Sequence, residues 1–276
     1  MLSPFQKDFD PSSYAKGKSH FQLVFCSIRE KWRKQAVVDF YAFCRLADDL
    51  ADENDFELSD RSKALESLKS WVQEREKINH IFWDRFLEGL ERTDTPSKLL
   101  LQILNGVESD LNQTLQIKTW EDLNRYSQAV AGDVGEVVLH LIGAWTEKSP
   151  NYAAHLGRCV QYLNILRDLE EDFKEGRVYV PEESLRLEDK NSWAQFEKEI
   201  QRLRKELYHR AIEYRSAVQP YSWKCFPSEM MVNFYLSAAQ KYWSKGYLKK
   251  LSRFQKIRLF VSSFYRSFWA CKNSST

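Results

Sequence analysis

The chain is predicted to be all-α, and three observations carry that expectation. Glycine (9) and proline (7) are scarce in 276 residues, below average usage of roughly 7% and 5%. No segment sustains the apolar–polar alternation of a half-buried strand, and the strand–helix alternation of a parallel sheet is missing. Apolar residues recur instead at helical spacing, between cap-and-proline signals that open helices. Hydrophobic residues make up 43% of the chain, enough for a sizeable core. No stretch rich in Gly, Ser or Pro divides it and no internal repeat is found, so a single domain over 1–276 is expected, with 1–17 a loose N-terminal segment.

In chain order, Ser19 to Trp32 mixes apolar and basic residues. Ala36 to Asp52 reads as a helix, with Val37, Phe40, Tyr41 and Cys44 along one side. Ser62 to Gly89 carries helical periodicity through Leu65, Leu68, Trp71 and Val72, then Ile78, Ile81, Phe82 and Phe86. Thr95-Pro96 opens a helix expected to run to about Gln116. Trp120 starts another, expected to continue through Val130 to Trp145. Ser149-Pro150 repeats the start signal, and the helix it opens ends near Gly176, a natural C-cap. Arg177 to Pro181 is a short extended piece and 182–192 a charged loop. Helices over Ser192–Val218, Pro227–Tyr242 and Lys245–Trp269 complete the chain.

Bulk properties exclude several classes. A net charge of +2 argues against a dedicated nucleic-acid binder. Five cysteines without a Cys-x-x-Cys fit a reduced, cytoplasmic protein. Met1 to Asp10 lacks the apolar segment of a signal peptide, and no apolar run is long enough to span a bilayer. None of the five histidines forms His-Glu-x-x-His, and His140, in an apolar helix, is expected to pack in the core. Gly132-x-x-Gly135 follows no strand and is not a dinucleotide fingerprint; it marks a close approach instead.

The chemistry concentrates in Gln161-Tyr-Leu-Asn164-Ile-Leu-Arg167-Asp168-Leu-Glu-Glu-Asp172. As helix, this puts Gln161, Asn164, Asp168 and Asp172 on one face, with Leu163, Ile165, Leu166 and Leu169 left for a core. Acids at i and i+4 repel, and a hard cation between them reverses that sign. A second stretch, Tyr41 to Glu53, repeats the device: Asp48 and Asp52 at i and i+4, with Tyr41 and Arg45 on the same face. Read alone, it is equally an acidic, solvated helix end. Each stretch offers Asp-x-x-x-Asp with an arginine just before it, Arg45 in one and Arg167 in the other. Two such helices facing each other would put carboxylates on both walls of a cavity. Magnesium prefers such oxygens together with substrate phosphates. A diphosphate so neutralised becomes a good leaving group, and arginines complete its clamp. An aromatic, water-free pocket would then shelter a carbocation.

These two stretches resemble the aspartate-rich motifs of the squalene/phytoene synthase family, the head-to-head prenyl synthases. Tyr126-Ser-Gln-Ala-Val130-Ala-Gly132-Asp-Val-Gly135 resembles the family's Tyr-Cys-x-x-Val-Ala-Gly-x-Val-Gly, and Gly176-Arg177-Val-Tyr179-Val-Pro181 its Gly-Arg-x-Tyr-x-Pro. The similarity runs over about 18 to 270. It implies an isoprenoid (terpenoid) synthase-type helical bundle with a central cavity. It also implies magnesium, or manganese, held by Asp48, Asp52, Asn164, Asp168 and Asp172. Arg45, Arg167 and Arg177 would contact diphosphate, and Tyr41 and Tyr179 would border the reacting centre. Gln161, Val130, Gly132, Tyr235 and, more loosely, Ser19, Phe21 and Arg253 would line the substrate site. The implied activity joins two prenyl diphosphates, farnesyl diphosphate first among them, through presqualene diphosphate toward squalene or a related C30 product. The wording of the motifs is most similar to bacterial enzymes of the squalene branch, the hopanoid pathway included.

One departure matters: where relatives often carry a second tyrosine, commonly given a proton-transfer role, this chain has Gln128 and Ala129. Alternatives are a phytoene or dehydrosqualene synthase of carotenoid biosynthesis, and a non-catalytic prenyl-lipid binder or assembly factor. The requirement for NADPH and the oligomeric state are left open by the sequence, which is compatible with a monomer. Lys241 to Thr276 holds nine Lys or Arg residues and no Asp or Glu. That segment reads as a solvated helix face, as diphosphate capture by Arg253 or Arg258, or as attraction to an anionic membrane surface on the inner side of the cell.

Overall fold

The computed structural model describes residues 5, 27–52, 57–111, 116–186, 193–243 and 253–274; nothing is said of the side chains at 52, 241–243 and 253–257. Ten α-helices are assigned among the described residues: α1 Lys31–Asp52, α2 Leu58–Glu74, α3 Ile81–Glu91, α4 Ser97–Leu111, α5 Trp120–Ser127, α6 Asp133–Leu141, α7 Ser149–Lys174, α8 Trp193–Ser216, α9 Phe226–Trp243 and α10 Arg253–Asn273. A π-helical segment, Gln128–Gly132, joins α5 to α6, and short 3₁₀ turns lie at Glu182–Ser184 and Trp223–Cys225. The described residues contain no strand. They group into two compact units, Met1–Leu115 with Asp133–Ser149, and Gln116–Gly132 with Pro150–Thr276.

In the first unit α1 packs against α2, α3, α4 and α6. Its inward side carries Val37, Phe40, Phe43, Ala47 and Leu50, all buried. Phe43 meets Phe86 of α3 at 5.3 Å between ring centroids, and Trp71 of α2 meets Trp83 of α3 edge-on at 4.9 Å. Asp39, 1% exposed, sits in this apolar packing because Arg85 of α3 grips it with two bonds of 2.7 and 2.8 Å. Removing one partner would leave a buried charge uncompensated. Arg61 of α2 donates to the Ala51 carbonyl at 3.0 Å, so a cation satisfies the C-terminal end of α1.

Two breaks subdivide the helical periodicity of the sequence. The periodicity over 62–89 resolves into two helices, α2 and α3. Arg75 ends α2 in the left-handed conformation (φ 52°), Asn79 repeats it (φ 57°), and the His80 ring nitrogen caps α3. The expected helix from Trp120 to Trp145 is interrupted by the π segment and stops at Leu141. Gly143 turns the chain there at φ 70°, while Arg33 donates to the Leu141 carbonyl at 2.9 Å. His140 is 8% exposed and stacks on Trp145 at 5.0 Å, the packed histidine expected.

The second unit is stitched by buried polar groups. Glu229 of α9 is 0% exposed, accepts from the Tyr152 hydroxyl of α7 at 2.6 Å and pairs with Arg215 of α8 at 2.6 Å. Asn124 of α5 accepts from the hydroxyls of Tyr162 (2.9 Å) and Tyr214 (2.5 Å), which fixes α5 on α7 and α8. Phe173 stacks on Phe196 at 3.7 Å. The last helix, described over Arg253–Asn273, packs on α9, and its expected start at Lys245 lies outside the described residues.

Candidate active site

The sequence places its acids along helix faces, and the helices form where expected. On α1, Tyr41, Arg45 and Asp48 are half-buried on the side opposite Phe40, Phe43 and Ala47. Arg45 divides its guanidinium: its Nη2 lies 2.5 Å from Asp49 and its Nη1 3.6 Å from Asp48. Asp49, which sequence reasoning passed over, is therefore the tighter partner. Asp52 is the last described residue of α1, and its side chain lies outside the described residues.

On α7, Gln161, Asn164, Asp168 and Asp172 form one half-buried stripe, while Tyr162, Leu163, Ile165, Leu166 and Leu169 are buried behind it. Arg167 clasps Asp168 with two bonds, Nε to Oδ1 at 2.7 Å and Nη2 to Oδ2 at 2.5 Å. That clasp is the main reason its guanidinium proton is held more tightly than usual; a hydrogen bond with Tyr235 adds to it. So Tyr235, from α9, joins the stripe through Arg167. Burial, and secondarily the Asp168 charge, push the Asp172 carboxyl up to about 6 from its ordinary 3.8.

The end of α7 is shaped to hold this arrangement. The Arg177 N–H donates to the Asp172 carbonyl at 2.8 Å and the Gly176 N–H to Phe173 at 3.1 Å, a Schellman closure. Gly176 stands at φ 79°, where a side chain would strain the backbone. The closure brings Arg177 back along its own helix, its Nη2 at 3.6 Å from the Asp172 carboxylate and 2.5 Å from Glu175. Two residues on, Tyr179 stacks on Tyr126 of α5 at 5.6 Å.

Asp168 and Asp172 lie in the last two turns of α7, the wrong end for negative charge. Asn164 adds a further sign. Among the described residues its amide nitrogen reaches only Gln161, at 3.5 Å, and its buried Oδ1 meets no hydrogen-bond donor. A buried acceptor left without a donor costs about 1–3 kcal/mol. A hard cation would use that oxygen together with the Asp168 and Asp172 carboxylates, so the donor set fits one. Among the described residues, no three His, Cys, Asp or Glu side chains converge as a ready-made cage.

The π segment contains two further predicted residues, Val130 (half-buried) and Gly132 (buried). A methyl added to Gly157 of α7 would lie 2.5 Å from the Gly132 Cα, so α7 and the π segment touch backbone to backbone. A methyl on Gly132 would strike the Gln128 amide at 2.7 Å, so Gln128 folds over Gly132 inside the segment. Single π turns recur at functional sites because they re-aim side chains. Sequence reasoning read Val130 and Gly132 by motif but missed the π turn, and it missed Arg61 and Asn124, which position α1 and α5. The paired glycines were the one available signal. Ser19 and Phe21 lie outside the described residues, as does the side chain of Arg253.

Comparison with known proteins gives this geometry a context. The chain is 32% identical over 165 residues to presqualene diphosphate synthase of Sinorhizobium fredii, covering 55% of each protein. It is 34% identical over 148 residues to phytoene synthase of Thermus thermophilus, covering 53% of this chain and 49% of that one. The matched stretch thus spans about half the length of these curated relatives. The fold is that of a crystallised dehydrosqualene synthase, with a TM-score of 0.72 at 23% identity over 94% of this chain and 96% of the other. The sequence model of squalene/phytoene synthase matches residues 15–242, and with most of the chain inside that match, the protein belongs to the squalene/phytoene synthase family.

Proposed function

We propose that this protein is a prenyltransferase that condenses two prenyl diphosphates head to head, releasing diphosphate with the help of a divalent metal. The observation that carries this is the α7 stripe: a buried Asn164 oxygen lacking a donor beside Asp168 and an Asp172 raised to about 6, in a chain of this family. Asp48, Asp52, Asn164, Asp168 and Asp172 would hold magnesium, or manganese in its place. The bound metal would neutralise diphosphate oxygens and make the group a better leaving group. Arg45, Arg167 and Arg177 bind and orient the diphosphate; all three already stand beside carboxylates they would share with it. Tyr41, Tyr179 and Tyr235 present ring faces and hydroxyls, and aromatic faces stabilise cationic carbon. Gln161, Val130 and Gly132 line the substrate site, with Ser19, Phe21 and Arg253 as outer contacts. Gln128 carries no titratable proton, so a tyrosine-type proton transfer at that position is not part of the reading.

The preferred substrate is farnesyl diphosphate, giving presqualene diphosphate and then squalene or a related C30 product, of a hopanoid or carotenoid pathway. The similarity to the Thermus phytoene synthase supports a second reading, a phytoene or dehydrosqualene synthase. Retention of all four aspartates weighs against a non-catalytic relative. No helix among the described residues is long and apolar enough to cross a membrane. A cytoplasmic protein, monomeric, and meeting the inner membrane surface peripherally, is the localisation proposed. The test is product extraction after incubation with farnesyl or geranylgeranyl diphosphate and Mg²⁺, each with and without NADPH. A C30 product from farnesyl diphosphate supports the first reading and a C40 product from geranylgeranyl diphosphate the second. No diphosphate release from either substrate would overturn both.

A further inference from the structure

Helix α10 is packed with its sides reversed. The described residues it buries include no aromatic ring: Leu259 at 9% exposure, then the small Ser263, Ser267 and Cys271 at 0%, each four residues after the last. The two serines are satisfied locally, each bonding the carbonyl four residues back, and Asn233 of α9 donates to Ser267 at 2.9 Å. Its bulky aromatic residues point the other way. Phe264, Tyr265, Phe268 and Trp269 are 41%, 61%, 37% and 55% exposed, and Val261 is 47% exposed. At 3.6 residues per turn, these five side chains and Lys272 fall within an arc of about 140°. Trp223, 43% exposed, extends the face by meeting Phe268 at 5.3 Å.

Hydrophobic burial would have favoured the opposite rotation of this helix, since an aromatic side chain buries far more apolar area than a serine. A contiguous exposed aromatic face of this kind marks an interaction surface. Its charge says with what. Lys272 lies over the Trp269 ring at 4.8 Å, Lys224 follows Trp223, and the side chains described on α10 include the cations Arg258, Arg266 and Lys272 and no Asp or Glu. A symmetric contact with a second copy would set these cations against themselves. A bilayer bearing anionic lipids offers apolar depth for the rings and negative charge for the lysines. Tryptophan and tyrosine flanked by Lys and Arg is the composition that settles at a lipid interface.

We propose that the outer face of α10, with Trp223 and Lys224, docks the protein on an anionic bilayer surface, the rings entering the headgroup region. The proposal takes its purpose from the lipid-substrate reading above, but its geometry is independent of the acid stripes. The experiment is co-flotation of the whole chain with vesicles, without metal or prenyl diphosphate. One set is phosphatidylcholine alone and the other contains about one-third phosphatidylglycerol, each at low and high salt. Partition into the anionic vesicles is expected to exceed that into neutral ones by on the order of tenfold and to weaken with salt. Tyr265→Ser with Trp269→Ser should lower it by on the order of tenfold at unchanged circular dichroism. Lys224→Gln and Lys272→Gln should each lower it about fivefold in anionic vesicles only. Equal flotation of the wild type and the double aromatic variant, or no flotation with anionic vesicles, overturns the proposal. A dimer abolished by the aromatic variant, with no flotation, overturns it in favour of a second copy. Because no substrate is present, flotation can succeed or fail independently of prenyl transfer.

Discussion

The acid stripes of α1 and α7 have the same spacing and solve their charge problem differently. On α1 the charge is shared out: Arg45 bridges Asp49 closely and Asp48 loosely, all partly exposed, and Arg61 satisfies the helix end. On α7 the charge is only partly met. Arg167 is committed to Asp168, Asp172 is pushed up to about 6, and the Asn164 oxygen has no donor. Local ion pairing accounts for Asp48 and Asp49 on the first helix, whereas the second stripe keeps an electrostatic cost that a bound cation would lift. The α7 stripe is therefore the more informative region, and α1 is its control.

The largest effect expected is on turnover. Asp168→Asn, which leaves the size of the side chain intact, should reduce Mg²⁺-dependent diphosphate release from farnesyl diphosphate on the order of a thousandfold. Asp48→Asn should match it if both stripes serve the same reaction. A full effect at Asp168 with none at Asp48 would break the comparison and leave α1 a solvated acidic helix. Next comes Gly157→Ala. The methyl has no room against Gly132, so a loss of about 1–3 kcal/mol in chemical denaturation is expected.

A smaller effect separates the stripes in the metal-free protein. The folded Asp172 carboxyl holds its proton more tightly than the ordinary 3.8, so the fold binds more protons than the unfolded chain. Its contribution to stability is therefore present below about pH 4 and lost as pH rises through about 6. Asp172→Asn should remove that loss and stabilise the metal-free protein at pH 7.5 by about 1 kcal/mol, after allowance for solvent screening. Melting temperatures with a chelator at pH 5 and pH 7.5 check this. The smallest effect is expected at α1: Arg45→Ala should change metal-free stability by only about 0.3–0.5 kcal/mol, the size of an exposed i,i+4 pair. A larger loss would show that α1 too depends on a strained charge arrangement.

What the sequence reveals follows from what is local. Asp-x-x-x-Asp stripes, the Ser149-Pro150 start and the Gly176 stop are set within a few residues, and the structure has them where the spacing puts them. The π segment was illegible because one extra residue per turn leaves the apolar period of Gln128–Gly132 nearly unchanged. The break at Arg75 and Asn79 was hidden because these residues take the left-handed conformation without a glycine to announce it. The unsatisfied Asn164 oxygen and the raised Asp172 depend on what buries them, which no spacing reports. The reversed rotation of α10 could not be read either, because its serine stripe and its aromatic face share one period.

The central claim is that the α7 stripe holds a divalent cation with diphosphate. It is tested most directly by the melting temperature of the whole chain with Mg²⁺ and inorganic diphosphate, together and separately, for wild type and Asp168→Asn. At about a hundred times the dissociation constant, binding should stabilise the wild type by about 2.7 kcal/mol, a rise of several degrees, with both ligands present. The rise should vanish in Asp168→Asn. An equal rise in both proteins would contradict the account.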